Sequence, residues 1–346
     1  MPAEFDDDRR PHTTELLDTT LRDGAYAVDF QFDEGFVIEV LERLDDTPVN
    51  LIEVGHGLGF EAERSGSRAC NIGLGRWCEL AGQHLEASSW GMFAQPEFSR
   101  LGTLAALAED GMSFVRVGME PHRVPENLGY LERALELCDR VYLNLMKTSD
   151  VPSIALPGLL RDVPQEIAGL YIVDSYGTML PHRVDQYVQV AADLFPVVGF
   201  HGHDNLGMAN ANSLAAVQAG ASLVDGTLNG IGRGAGNAEL ESLAGILTLL
   251  GADGYDYQEL AALAKSCQTA LRPVPNDRHL EVLGGVIGVH TGHFPLVLQL
   301  CSELGLTAAR VMEQAVAMST HGPGRPEITA AAQQLAGASR PSLVTL

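Results

Sequence analysis

Arg22 and Asp23 stand side by side in the stretch LLDTTLRDGAYAVDFQF (16–32), and His201 and His203 stand two apart in GFHGHDN (199–205). Residues two apart on a strand point the same way, so the two imidazoles can share one divalent ion. An H-x-H pair taken alone is more often two surface histidines. A carboxylate such as Asp23 changes that balance, because two histidines and a carboxylate with open positions form a common site for Mn, Fe or similar ions. An always-charged guanidinium beside such an ion suits a negative oxygen developing on a substrate. Metal and arginine together suggest enolate chemistry, the ion holding a 2-oxo acid by its ketone and carboxylate oxygens while Arg22 steadies the enolate. A third stretch, LNGIGRGAGNAELE (228–241), is glycine-rich. Asn237 within it either bonds a ligand or completes the coordination, or it is the N-cap that asparagine favours at a helix start.

Side chains this far apart in the chain need a scaffold that brings strand ends together. Short β-rich runs occur at Glu15 to Leu17, 50–55, 87–93, 113–118, 140–146, 170–174, 197–200 and 222–226, with helical periodicity between them, as in FVIEVLERLDD and HRVDQYVQVAADLF. This alternation predicts an α/β fold, a (β/α)8 TIM barrel over residues 15–250. An open doubly wound sheet lacks its usual sign, since no G-x-G-x-x-G follows the first strand. In a barrel the residues just after strands form the catalytic face, and Arg22, Asp23, His56, Asp174, His201, His203 and Asn237 all fall there. YQELAALAKSCQTAL, FPLVLQLCSELG, TAARVMEQAVAMS and EITAAAQQLAG predict a helical C-terminal region over 251–346, and residues 1–14 read as a polar arm.

Composition narrows the partners. A formal charge of −23 argues against binding nucleic acid, whose phosphates need Lys and Arg. No apolar run reaches the roughly 18 to 20 residues of a membrane span. The acidic start MPAEFDDDRR lacks the basic and apolar regions of a signal peptide, and five scattered cysteines without a C-x-x-C pair read as reduced thiols, so a cytoplasmic protein is expected.

The motifs LDTTLRDG, LRDGAYA, IEVGHGLG, HGHDNLGMANANSLAAVQAGASLVDGTLNGIG and GAGNAELE together resemble the metal-dependent aldolase and acyltransferase superfamily of TIM barrels, and its 4-hydroxy-2-oxovalerate aldolase branch in particular. That resemblance implies Asp23, His201 and His203 as metal ligands, with Mn²⁺ expected and Mg²⁺ or Co²⁺ as alternatives. It further implies Arg22 as the group stabilising a pyruvate enolate and Ser175 in VDSYG as a residue placing pyruvate. The synthase and lyase branches usually carry a glutamate shortly after R-D-G, where this chain has Ala25 to Val28; this disfavours a Claisen-type acyltransferase, the same-fold alternative. A metal-binding scaffold without turnover is the alternative of another class. The aldolases place a histidine as general base where this chain has Tyr26, a poor base at a pKa near 10. GVIGVHTGHF (285–294) resembles their segment bearing an active-site tyrosine, so His290 and Tyr26 read as exchanged, with His290 the base, Tyr26 its hydrogen-bonding partner and His293 a rival. His56 matches the pattern without an assigned role, and His122 and His182 read as surface residues. The implied substrate is a 4-hydroxy-2-oxo acid giving pyruvate and an aldehyde; an acylating aldehyde dehydrogenase docked on the tail and an oligomeric state are the implied partners.

Overall fold

A computed structural model describes residues 14–252, 254–271, 273 and 277–338; of the polar arm at 1–14, all but Thr14 lie outside the described residues. Eight parallel strands close a barrel in chain order: β1 Glu15–Asp18, β2 Leu51–Glu53, β3 Ser89–Ala94, β4 Phe114–Met119, β5 Val141–Leu145, β6 Gly169–Asp174, β7 Val198–Gly202 and β8 Leu223–Gly226. β1 closes on β8 with Leu17 opposite Asp225 and Asp18 opposite Gly226. Each strand is followed by a helix: α1 Glu34–Asp45, α2 Leu74–His84, α3 Leu101–Glu109, α4 Val124–Leu137, α5 Leu156–Leu159, α6 Pro181–Ala192, α7 Ala209–Gln218 and α8 Leu240–Leu249. The (β/α)8 barrel is therefore the fold, as the alternation predicts.

Helix α1 illustrates the local cause. Phe36, Val37, Val40, Leu41 and Leu44 recur at helical spacing and are all buried, and Asp33 caps the start by accepting from the Phe36 N–H at 3.1 Å. Each such aliphatic side chain contributes about 1.5–3 kcal/mol when fully buried.

Inside the barrel, side chains two apart on each strand stack into layers. The lowest joins Leu17, Leu51, Phe114, Tyr142, Tyr171 and Leu223. Its rings meet edge to face, Phe114 on Tyr142 at 6.1 Å and Tyr142 on Tyr171 at 5.8 Å. Gly199 on β7 leaves the space that the Tyr171 ring occupies. Two residues further along the same strands, Glu53, Arg116, His201 and Asp225 form the next layer, and the loops above it bear the cavity.

Beyond the barrel come α9 Tyr257–Ala270, α10 Arg278–Ile287, α11 Phe294–Leu304, α12 Ala308–Met318 and α13 Arg325–Ala338. Leu260, Leu263, Ala264 and Cys267 of α9 join the barrel's core. Leu280, Val289, Phe294, Val297, Val311, Met312, Ala315, Ile328, Ala331 and Ala332 form a second apolar core of their own. Helix α10 is a finding that sequence periodicity does not deliver, because Gly284 and Gly285 sit in its middle and weaken helix propensity. Both are packing requirements: a Cβ at Gly284 would come within 2.6 Å of the Phe294 ring, and one at Gly285 within 3.0 Å of Asn205.

Among the described residues no single helix is long and apolar enough to cross a membrane. All five cysteines are free.

Candidate metal centre and cavity

The ends of β1, β7 and β8 converge. Asp23 lies in the short helical turn after β1, His201 on β7, His203 just beyond it, and one ligand atom from each falls within 4.8 Å of the others. All three are buried. His201 Nδ1 donates to Asp225 Oδ2 at 2.9 Å, and His203 Nδ1 donates to the Gly236 carbonyl at 3.1 Å. Both acceptors lack a proton to give, so each ring donates from Nδ1 and turns Nε2 toward the shared space. Burial would raise the Asp23 carboxyl, but Arg22, His203 and His201, with an Asn237 hydrogen bond, outweigh it and hold Asp23 well below the usual carboxylate range. Burial also lowers His203 to about 4, keeping it neutral. Two buried imidazoles fixed from behind and a buried carboxylate held deprotonated fit a divalent ion.

Asn237 belongs to this group, though not as a helix cap. The N-cap of α8 is Glu239, two residues on. The Asn237 Nδ2 donates to Asp23 Oδ1 and to the Ile231 carbonyl, each at 3.1 Å, while its Oδ1 is buried without a partner. That orphaned oxygen beside Asp23 is a further observation that fits a cation.

Arg22 is fixed on two sides. Its Nε donates to Glu53 Oε2 at 2.5 Å, its Nη1 to Asp23 Oδ2 at 2.5 Å, and its guanidinium lies 4.9 Å from the centre of the Phe93 ring. Behind it Arg116 donates from Nε to Glu53 Oε1 at 2.8 Å and from Nη1 to Asp225 Oδ2 at 2.5 Å, over the Tyr171 ring at 4.8 Å. Glu53, Arg116 and Asp225 thus tie Arg22 to His201 through one buried chain of charges. None was singled out from the sequence, although each is a lone charge in an apolar strand, in NLIEVG, SFVRVG and SLVDG. Because Arg116 is fully buried, Arg116→Met strands two carboxylates without their partner. We expect it to destabilise the fold by about 3–5 kcal/mol in urea unfolding; a change below about 1 kcal/mol would show that this chain of charges is dispensable.

A cavity of about 300 Å³ opens above this layer, lined by Arg22, Asp23, His201 and His203 and by Ser175, Tyr26, His290 and His293 among others. The metal candidates and the tail histidines therefore face one space. Ser175 Oγ accepts from the Lys147 N–H at 2.8 Å, which leaves its own hydrogen to donate. Tyr26 and His290 are not bonded to each other as the sequence reading expects, because Arg233 stands between them. Its guanidinium covers the Tyr26 ring at 4.6 Å, and its Nη1 donates to His290 Nε2 at 3.2 Å. Burial pushes the Tyr26 phenol up to about 12, against the pull of Arg233. Burial and then Arg233 hold His290 well below its ordinary 6.5, so its ring is neutral. Arg233 was hidden in the glycine-rich loop, where glycines drew attention to the backbone.

Other predicted mouth residues do not reach the cavity. His56 Nε2 donates to the Arg68 carbonyl at 2.9 Å, its Nδ1 accepts from the Leu58 N–H at 3.0 Å, and the ring stacks on Phe30. It braces the loop after β2. Asp174 accepts from the Thr178 and Met179 N–H groups at 3.1 and 2.9 Å and shapes the turn after β6. His182 is exposed on α6, while His122 is half-buried and stacks on His321 at 4.5 Å.

Comparison with known proteins agrees with this geometry. The model of the HMGL-like family matches residues 146–266. The chain is 33% identical over 306 residues to a 4-hydroxy-2-oxovalerate aldolase of Spirochaeta aurantia, covering 84% of this chain and 87% of that one. It is 36% identical over 236 residues to an oxaloacetate decarboxylase of Mycobacterium tuberculosis, covering 67% of this chain and 69% of that one. Its fold is shared with the carboxyl transferase domain of Rhizobium etli pyruvate carboxylase, at a TM-score of 0.77 and 15% identity over 94% of this chain and 61% of that one. From the conjunction of barrel, buried site and relatives matched along most of their length, the chain belongs to the 4-hydroxy-2-oxovalerate aldolase family of carbon–carbon lyases.

Proposed function

We propose that this protein is a divalent-metal-dependent aldolase that cleaves a 4-hydroxy-2-oxo acid to pyruvate and an aldehyde, or runs the reverse addition. The observation that carries the reading is the buried set Asp23, His201 and His203 opening, beside Arg22, onto one cavity. A divalent ion held by those three residues, Mn²⁺ in our reading with Mg²⁺ or Co²⁺ as alternatives, would act as a Lewis acid toward the ketone and carboxylate oxygens of the 2-oxo acid. Ser175 donates its free hydroxyl hydrogen to the substrate's pyruvate half. His290, neutral and lining the same cavity, takes the proton of the 4-hydroxyl as the C3–C4 bond breaks. Arg22, locked between Glu53 and Asp23, turns its remaining N–H groups toward the enolate oxygen, so that little reorganisation is needed as charge develops. Tyr26, pushed up to about 12, stays protonated and shapes the wall.

The test is proton NMR of pyruvate's methyl group in deuterated buffer with Mn²⁺, quenched and stripped of metal before acquisition. Loss of the methyl signal that stops on chelation and returns with added ion is the expected result. Absence of exchange in protein shown to hold metal would remove pyruvate enolisation from the reading.

Partners and place complete the proposal. Val282 and Val286 of α10 are 38% and 68% exposed. That apolar strip supports an acylating aldehyde dehydrogenase or a second copy docking on the tail. The five free cysteines support a reducing compartment, the cytoplasm.

A further inference from the structure

The cations on the cavity wall are not equivalent. Arg22 is paired with Asp23 and Glu53, and Lys147 with Glu120. Arg233 has no carboxylate partner among the described residues; its guanidinium lies over the Tyr26 ring and against the neutral His290 imidazole. In a chain of net charge −23, a guanidinium facing a cavity without a counter-charge suits the binding of an anion. Its setting is built to hold it there. A Cβ at Gly292 would come within 2.9 Å of Arg233 Nη2, so the glycine leaves room for the fork, and the Arg233 N–H donates to Asp23 Oδ1 at 3.3 Å. The position matters as much as the charge, because Arg233 touches His290, the group placed at the 4-hydroxyl.

Resting on the aldolase reading above, we infer that Arg233 receives a carboxylate borne on C4, so that the preferred substrates are 4-hydroxy-2-oxo dicarboxylates, cleaved to pyruvate and a 2-oxo acid. His290 takes the 4-hydroxyl proton, and C4 becomes the carbonyl carbon of the departing 2-oxo acid. The C3–C4 bond breaks with its electron pair on C3 as pyruvate enolate, and a proton returned to C3 completes pyruvate. The carboxylate on C4 departs unchanged. A carboxylate leaving as carbon dioxide would instead have to give up its charge, which an arginine opposes, so Arg233 favours cleavage over decarboxylation. Such a carboxylate also draws the guanidinium off His290 Nε2 and frees that nitrogen to accept a proton.

The test uses two unreactive analogues lacking the 4-hydroxyl, 2-oxoglutarate and 2-oxovalerate, titrated calorimetrically into Mn²⁺-loaded wild type and Arg233→Ala. We expect 2-oxoglutarate to bind on the order of 100-fold tighter than 2-oxovalerate to wild type, and Arg233→Ala to erase most of that ratio. With glyoxylate and acetaldehyde as acceptors for pyruvate, the substitution should act mainly through the KM for glyoxylate. A wild-type ratio near one, or a ratio that survives in Arg233→Ala, overturns the inference. If wild type still exchanges pyruvate's methyl protons, that failure leaves the aldolase reading standing; if exchange is also absent, the aldolase reading falls with it.

Discussion

Replacing His290 by alanine is expected to lower the rate of C3–C4 cleavage by about 10²- to 10⁴-fold, the span usual for a positioned general base. The ring comes from the loop between α10 and α11 and reaches the same cavity as Asp23 and His201. Burial and Arg233 keep the ring neutral, and its Nε2 faces Arg233 Nη1 at 3.2 Å, so the guanidinium has to move aside for the proton to be taken. His293, also on the wall with its ring 6.2 Å from that of His290, is the control. Burial holds it at about 4 and it is neutral too, so charge does not separate the two. What separates them is the Arg233 contact, which fixes only His290 against the side where Tyr26 stands. His293→Ala is therefore expected to cost less than His290→Ala. Steady-state cleavage of a 4-hydroxy-2-oxo acid decides it: a His290→Ala enzyme within a few-fold of wild type would take His290 out of the mechanism.

Arg22→Met should reduce kcat by about 10²- to 10³-fold, the usual consequence of losing one preorganised donor to a developing oxyanion. The effect should appear in kcat more than in KM, because the neutral ketone oxygen of the ground state gains little from the guanidinium. Arg22→Lys should not rescue it. An ammonium cannot reproduce the fork that reaches Glu53 and Asp23 together from two separate nitrogens. Pyruvate proton exchange should fall in parallel, since exchange and cleavage share the enolate. An Arg22→Met enzyme that exchanges at the wild-type rate would assign the oxyanion to another donor.

Much of this was legible in the chain because the relevant signals are local. Alternating strands and helices predict the barrel, and an R-D pair after one strand with H-x-H at the end of another places Asp23, His201 and His203 at one mouth. What stayed hidden needed three dimensions. Glu53, Arg116 and Asp225 occur one to a strand, and only closure of the barrel turns three isolated charges into one chain. Helix α10 was masked by glycines whose purpose is contact with Phe294 and Asn205. The expected bond between Tyr26 and His290, implied by the resemblance, does not form, because a motif match does not reveal how far a guanidinium from a third loop will reach.

The two apolar cores support different parts of one cavity. Asp23, His201, His203 and Arg22 stand on the core shared by barrel strands and their helices, whereas His290 stands on the core of the tail. The proposed pyruvate chemistry is thus anchored apart from the proposed base, while Arg233, the proposed receptor of the C4 substituent, stays with the barrel loop after β8. Exchanging the segment around residues 278–304 between relatives is expected to move the base while leaving both the pyruvate half and Arg233 in place.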